Sequence, residues 1–269
     1  MTSRLPLRPV LAGATALVLV AGLAGCASSA PAESEEAAGS SSARIFLTRH
    51  GETMLNELER AQGWADSPLV ADGEEVAEDL GVGLADAGVE FDAAYSADMV
   101  RHFSTATIVL DAIGQEIEPV RDERLREAAF GRFEGAGNDE MWSFAAAELG
   151  YADVGAMFGS VEFTEALDAV AAGSADTDLP AETSAEVGER AVAALEDIGE
   201  QAAEDGDGEV LVVSSGITIT LALGMLGADL SEVTSGIDNA AVSELVYDDG
   251  EWSVETVNDL SYVEAGAQE

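Results

Sequence analysis

The sequence predicts a three-layer α/β/α sandwich on a mainly parallel sheet, with a small helical cap insertion. Three observations carry that prediction. Short apolar runs alternate with helix-length amphipathic segments, the order that lays helices over both faces of a parallel sheet. The run Val210-Leu211-Val212-Val213 has no polar position, as expected of a strand buried on both faces. A second run, Ile45-Phe46-Leu47, leads into a polar loop, Thr48-Arg49-His50-Gly51-Glu52-Thr53, as a buried strand leads into a site at its carboxyl end. With 269 residues, 47% of them apolar, the chain can bury the core of one large domain or two small ones.

Residues 1–25 read as a targeting segment. Arg4 and Arg8 give a positive start, and Val10 to Gly25 is apolar but short of the ~20 residues that span a bilayer. The run Leu23-Ala24-Gly25-Cys26 resembles a bacterial lipobox, which implies cleavage before Cys26 and a diacylglycerol on its thiol. The expected location is therefore lipid-anchored and outward-facing, on the extracellular or periplasmic side of the cell membrane. Cys26 is the only cysteine, so no internal disulfide can form. Residues 26–43 are rich in Ser, Ala, Glu and Gly, the composition of a flexible tether.

The domain proper is expected over residues 44–264. Arg44 to Thr48 is its first strand, and a helix over Thr53 to Arg60 follows the loop. Asp72 is placed to cap a helix reaching about Ala87, with Val76, Leu80 and Leu84 on one face. Ala93 to Ser96 reads as a strand, and a helix follows from Asp98. Ile117 to Val120 reads as another short strand. Residues 136–180 are rich in Ala, Gly and acid, with helical patterns near 139–149 and 162–172, and read as the cap. Thr183-Ser184-Ala185-Glu186 has the form of a capping box for a helix to about Glu204. A helix from Ile217 to Leu226 follows the Val210 strand. Val242–Tyr247 and Trp252–Val257, joined across Asp248-Asp249-Gly250, form a hairpin pattern.

The chain holds 53 acidic residues against 11 basic ones, all arginine, and its formal charge is −42. Nucleic-acid binding and electrostatic attachment to anionic lipid both need basic surface and are disfavoured. Such acidity serves solubility or a salty medium. Two histidines and one cysteine are too few for a metal cluster, and no glycine-rich nucleotide loop is present, so no metal and no cofactor are expected.

Against that background Arg49-His50 stands out. A neutral imidazole beside a fixed guanidinium suits attack on a phosphoryl group. The loop Ser214-Ser215-Gly216 also follows a strand candidate, so it and the Arg49-His50 loop can meet at one site.

These residues resemble the histidine phosphatase superfamily, also called phosphoglycerate mutase-like, over roughly residues 44–264. The resemblance is carried by Arg49-His50-Gly51-Glu52-Thr53 with Asn56, and by Gln62-Gly63-Trp64 with Asp66-Ser67-Pro68-Leu69. Ser96 to Arg101 with Thr105-Ala106 adds to it, as do Leu125-Arg126-Glu127, Phe130-Gly131 and Glu134-Gly135. Asp72-Gly73 and Asn258-Asp259 also fit. The resemblance implies a small phosphorylated substrate and a set of roles. His50 is the nucleophile, Arg49 and Arg101 clamp the phosphoryl oxygens, and Glu127 is the acid and then the base. Thr53, Asn56, Gln62, Gly63, Ser215 and Gly216 line the phosphate and substrate pocket, where Asn56 and Gln62-Gly63 equally suit a loop-structuring role.

One family position departs. A second histidine is expected after the apolar strand, in a Ser-His-Gly context, and Ser215 stands there instead. A hydroxyl donates one hydrogen bond and carries no charge, so a weakened enzyme is expected. His102 follows Arg101 directly, and helix neighbours point about 100° apart, so His102 is expected to face away from the site. Two readings follow: a phosphomonoesterase working through phosphohistidine, or an inactive phosphatase-like lipoprotein that binds a phosphorylated or anionic ligand. A mutase ranks below both, since a surface lipoprotein rarely meets its small metabolites. Oligomeric state is not legible.

Overall fold

The computed structural model describes residues 42–206 and 208–268. The expected signal peptide, Cys26 and nearly all of the tether lie outside the described residues.

Six strands form one sheet: β1 (Ser42–Arg49), β2 (Ala93–Ser96), β3 (Val120–Arg121), β4 (Glu209–Ser214), β5 (Val242–Asp248) and β6 (Glu251–Val254). Their order is β3-β2-β4-β1-β5-β6. From β3 to β1 the pairing is parallel, and β5 and β6 extend the sheet antiparallel. The helices are α1 (Met54–Glu57), α2 (Ala71–Asp86), α3 (Val100–Ile113), α4 (Asn138–Glu148), α5 (Val154–Phe158), α6 (Phe163–Ala172), α7 (Ser184–Asp205), α8 (Gly216–Met225) and α9 (Ser261–Gly266). This is the mainly parallel α/β/α sandwich read from the sequence.

The strand period of two divides the apolar residues between two cores. Ile45, Leu47, Val210, Val212 and Leu245 pack with Ala191, Leu195 and Ile198 of α7 and with Ile219 and Leu223 of α8. Phe46, Leu211, Val213 and Val242 face Leu80 and Leu84 of α2 and Val109 and Leu110 of α3. The register Ile45↔Val210, Phe46↔Leu211, Leu47↔Val212 keeps each set on its own face. A third cluster joins Met141, Met157, Leu167 and Val170 of α4–α6 to Phe130, Phe133 and Leu221. The apolar cap residues serve mainly as this core.

Several boundaries differ from expectation for local reasons. The helix after the first loop is one turn, α1, because Thr53 and Asn56 start it as a capping box and Glu59 leaves it at φ 53°. Asp72 does not cap α2. Val70 holds that place, and Asp72 sits in the first turn, where an acid favours the helix dipole. The strand expected over 117–120 shrinks to the two residues of β3. The capping box at Thr183 and Glu186 forms as read. The short helices α5 and α9 went unread.

Candidate active site

Strands β1 and β4 end side by side, with Arg49 paired to Ser214. His50 donates its backbone N–H to the Ser214 carbonyl (3.0 Å), and Ala240 donates to the Arg49 carbonyl (3.0 Å). Asn239 Nδ2 donates to the His50 carbonyl (2.7 Å), and Gly51 N–H donates to Thr105 Oγ1 of α3 (3.0 Å). Three separate segments thus fix the Arg49-His50 loop. Gly51 backs onto Gly73 in the first turn of α2, and a Cβ on either would overlap the other segment's backbone.

The His50 ring is buried, and its Nδ1 lies 2.7 Å from the Gly51 carbonyl. A carbonyl can only accept, so Nδ1 carries the proton and Nε2 keeps its lone pair. Burial first, then Arg101 and Arg49, push the His50 pKa well below 6.5. These effects favour the neutral ring.

Arg49 Nη1 donates to the Ile237 carbonyl (2.6 Å), and its Cδ and Nε are what a Cβ on Gly216 would meet. Arg101 is fully buried at the start of α3. Its Nη2 donates to Gly63 O (2.8 Å), and Nη1 donates to Ala65 O (3.2 Å) and Asp66 Oδ1 (3.1 Å). Burial lowers both arginine pKa values, opposed by nearby acids: Glu127 and Asp238 for Arg49, Asp66 and Glu127 for Arg101.

Glu127 sits at the start of α8. Oε2 accepts from Ile217 N (3.1 Å), and Oε1 accepts from Thr218 N (3.0 Å) and Ala128 N (2.9 Å). The Thr218 hydroxyl lies 2.8 Å from Arg126 O and 3.1 Å from Glu127 Oε1. Donating to the carbonyl, it can accept from a protonated Glu127; turned toward Oε1, it donates to the carboxylate instead.

Residues 45–260 match the histidine phosphatase superfamily (branch 1). The chain belongs to this family.

Among solved structures, phosphoglycerate mutase from Bacillus anthracis str. Sterne superposes with a TM-score of 0.78 at 40% identity, covering 84% of this chain and 97% of that one. Bacillus stearothermophilus YhfR gives 0.64 at 28% identity, covering 82% and 99%. A 2,3-bisphosphoglycerate-dependent phosphoglycerate mutase of Rhizobium meliloti (strain 1021) is 37% identical over 100 residues, 37% of this chain and 47% of the relative. The chain spans about half the length of the curated relatives it matches. The phosphohistidine mechanism is general to the family.

In this histidine phosphatase fold the expected site residues have different duties. The Thr53 hydroxyl accepts from Asn56 N–H, and Asn56 Oδ1 accepts from Thr53 N–H, so this pair starts α1. The Thr53 hydroxyl also bonds Gln62 Oε1, which leaves the Gln62 amide nitrogen buried and unpartnered. Arg49 Nε and Arg101 Nε share that condition. Gly63 is needed for close approach: a Cβ there would overlap the Ala128 carbonyl and the Glu134 carboxylate. Glu134 accepts from the N–H groups of Gly63, Trp64, Ala65 and Phe130 and anchors the second loop.

The expectation that His102 faces away is overturned. His102 is fully buried, its Nε2 lies 2.7 Å from Ser215 Oγ, and its ring stands perpendicular to that of His50 with centroids 5.0 Å apart. Arg101 and His102 do diverge, toward the Gly63 loop and the Ser215 loop respectively. The Ser215 loop adjoins His50 through the Ser214 carbonyl, so divergence from Arg101 leaves His102 at the site.

Sequence reading passed over Arg190, Asn239 and Thr218. Arg190 donates to the carbonyls of Arg124 (2.7 Å), Arg126 (2.7 Å) and Glu127 (3.0 Å), and so holds the Glu127 segment. The scarcity of basic residues was the one available signal for it.

Proposed function

We propose that this chain is a phosphomonoesterase in which His50 accepts the phosphoryl group. The observation that carries the reading is the set of buried, unpartnered donors Arg49 Nε, Arg101 Nε and Gln62 Nε2, the two arginines near enough to His50 to act on its charge. Buried N–H groups are rarely left unmatched, and a phosphoryl dianion supplies the acceptors such donors need.

The chemistry follows. The Nε2 lone pair attacks phosphorus, and the phosphorus–oxygen ester bond breaks toward the leaving oxygen. That oxygen takes the proton of a protonated Glu127. A water then attacks the phosphohistidine and gives its proton to Glu127, and the phosphorus–nitrogen bond breaks back onto Nε2. Arg49 and Arg101 balance charge in both steps, where burial makes each donor worth more than in water. Glu127 positioned by α8 and Arg190 supports the acid–base role.

The test is hydrolysis of p-nitrophenyl phosphate by the full chain beside His50→Ala. Wild-type turnover at least ~10³-fold above the variant is expected. Equal rates would leave the rival reading, anion binding without turnover. The relatives named as mutases favour a second reading, transfer to an organic hydroxyl in place of water. Interconversion of 2- and 3-phosphoglycerate without release of inorganic phosphate would establish it.

We also propose, from the residues around Cys26 alone, that a lipid on that thiol holds the domain at the outer face of the cell membrane. Cys26→Ala should move the protein from the membrane fraction to the soluble one, and unchanged partition would reject the anchor.

A further inference from the structure

We propose that His102 and Ser215 act as one unit, in which the imidazole holds the Ser215 hydroxyl so that its O–H is directed at a phosphoryl oxygen carried on His50. The inference rests on the phosphohistidine reading above.

The geometry is specific. Both side chains are fully buried, and Nε2 of His102 is 2.7 Å from Ser215 Oγ. Ser215 occupies the position before α8 yet makes no cap bond with its side chain. Glu127 takes the Ile217 and Thr218 N–H groups instead, so the hydroxyl is free of that duty. Nδ1 of His102 is buried and unpartnered. A buried orphan N–H is rarer than a buried orphan lone pair, which puts the proton on Nε2. Nε2–H then donates to Ser215 Oγ, and the serine's own proton must find a different acceptor.

The neighbours of Ser215 say where that acceptor is. The Ser214 carbonyl holds the backbone N–H of His50 at 3.0 Å. Gly216 faces Arg49, whose Nε a Cβ on that glycine would meet at 3.6 Å. Ser215 thus stands between a residue bonded to the His50 loop and one that faces Arg49, with the His50 ring 5.0 Å from that of His102. An oxygen of a phosphoryl group on His50 is the acceptor this placement provides. His102 is kept neutral by burial and by Arg101 and His50 beside it, so it contributes a donor without a further cation. No proton changes owner. The imidazole orients the hydroxyl, and the hydroxyl meets the phosphoryl oxygen. His102 is therefore a positioning residue acting through Ser215, and the pair supplies from two elements the contact expected of one histidine at position 215.

The experiment uses the full chain with p-nitrophenyl phosphate and, separately, vanadate affinity as a measure of transition-state binding. Wild type against His50→Ala first decides whether turnover exists; equality there removes the phosphatase reading and this inference with it. With turnover established, Ser215→Ala and His102→Ala should each lower kcat by ~10²-fold, as loss of one preorganised donor does. Vanadate affinity should fall in parallel, with KM little changed. The double variant should be no worse than either single one, because each change breaks the same unit. His102→Phe separates chemistry from packing: it fills the volume without a donor and should be as slow as His102→Ala once rates are corrected for folded fraction by circular dichroism. His102→Gln, which keeps an N–H, should recover much of the rate. Wild-type kcat in His102→Phe, or losses that multiply in the double variant, would overturn the proposal.

Discussion

His50 and His102 are the two histidines of the chain, and burial pushes both pKa values well below 6.5. The linkage has a definite sign. Below pH 6.5 the unfolded chain binds a proton at each ring while the folded chain binds none, so stability rises with pH and falls on acidification through that range. Each ring contributes up to about 1.4 kcal/mol per pH unit. Repulsion among the 53 acids acts in the opposite sense, so the informative quantity is a difference. Wild type should lose about 1.4 kcal/mol per pH unit more than His102→Gln between pH 6 and 5, measured by urea unfolding. Parallel curves for the two proteins would mean that His102 is not held neutral. Asp98 and Asp122, whose pKa values are lowered, share the wild-type sign but act only nearer pH 4. His50 was legible in the sequence because its motif is local. His102 was not, because its meaning depends on Ser215, 113 positions away. The 100° argument was right that the neighbours diverge and missed that His102 would still meet Ser215 beside His50.

At the scale of elements, α7 does more than cover the sheet. Its Arg190 donates to three successive-segment carbonyls at 124, 126 and 127 and pairs with Glu182 at 2.7 Å, both side chains under a fifth exposed. The Glu127 segment carries only short 3-10 turns, at Glu123–Leu125 and Gly131–Phe133, and little regular bonding of its own. Arg190→Met keeps the stem and removes the donors. It should cost roughly 1–3 kcal/mol of stability, because three part-buried carbonyls and the Glu182 carboxylate lose their partner. It should also lower kcat about tenfold more than it raises KM, since a small displacement of a catalytic group is costly. A kcat equal to wild type at full folding would show that Glu127 needs no such support. The long elements were legible because each repeats one signal many times: α7 from its capping box and stripe, β4 from four apolar residues in a row. The turns α1 and α5, two-residue β3 and the closing α9 carry too few residues for any period to register. Nothing in the pattern of α7 announces that one of its polar residues reaches under a neighbouring loop.

For the whole molecule, the alternation of strands and helices was enough to predict the sheet and to put the site at its carboxyl end, since parallel pairing of β2, β4 and β1 leaves their following loops together. Charge was legible too, and it sets a conflict. The chain carries −42 overall, while the site concentrates Arg49 and Arg101 beside a neutral imidazole. A phosphate ester is repelled at long range and attracted only at close range. The screening length is about 30 Å at 0.01 M salt, 10 Å at 0.1 M and 3 Å at 1 M. Moderate salt therefore removes the long-range repulsion first, while buried Arg101 and half-buried Arg49, shielded from ions by the protein around them, keep their hold. At high salt, anions compete for the same donors. kcat/KM for p-nitrophenyl phosphate should accordingly rise from 0.01 to about 0.1–0.2 M sodium chloride and fall toward 1 M, with kcat changing less than KM over the rising limb. A steady fall from the lowest salt upward would mean that association is governed by the local arginines alone and that the acidic surface is electrostatically silent toward the site.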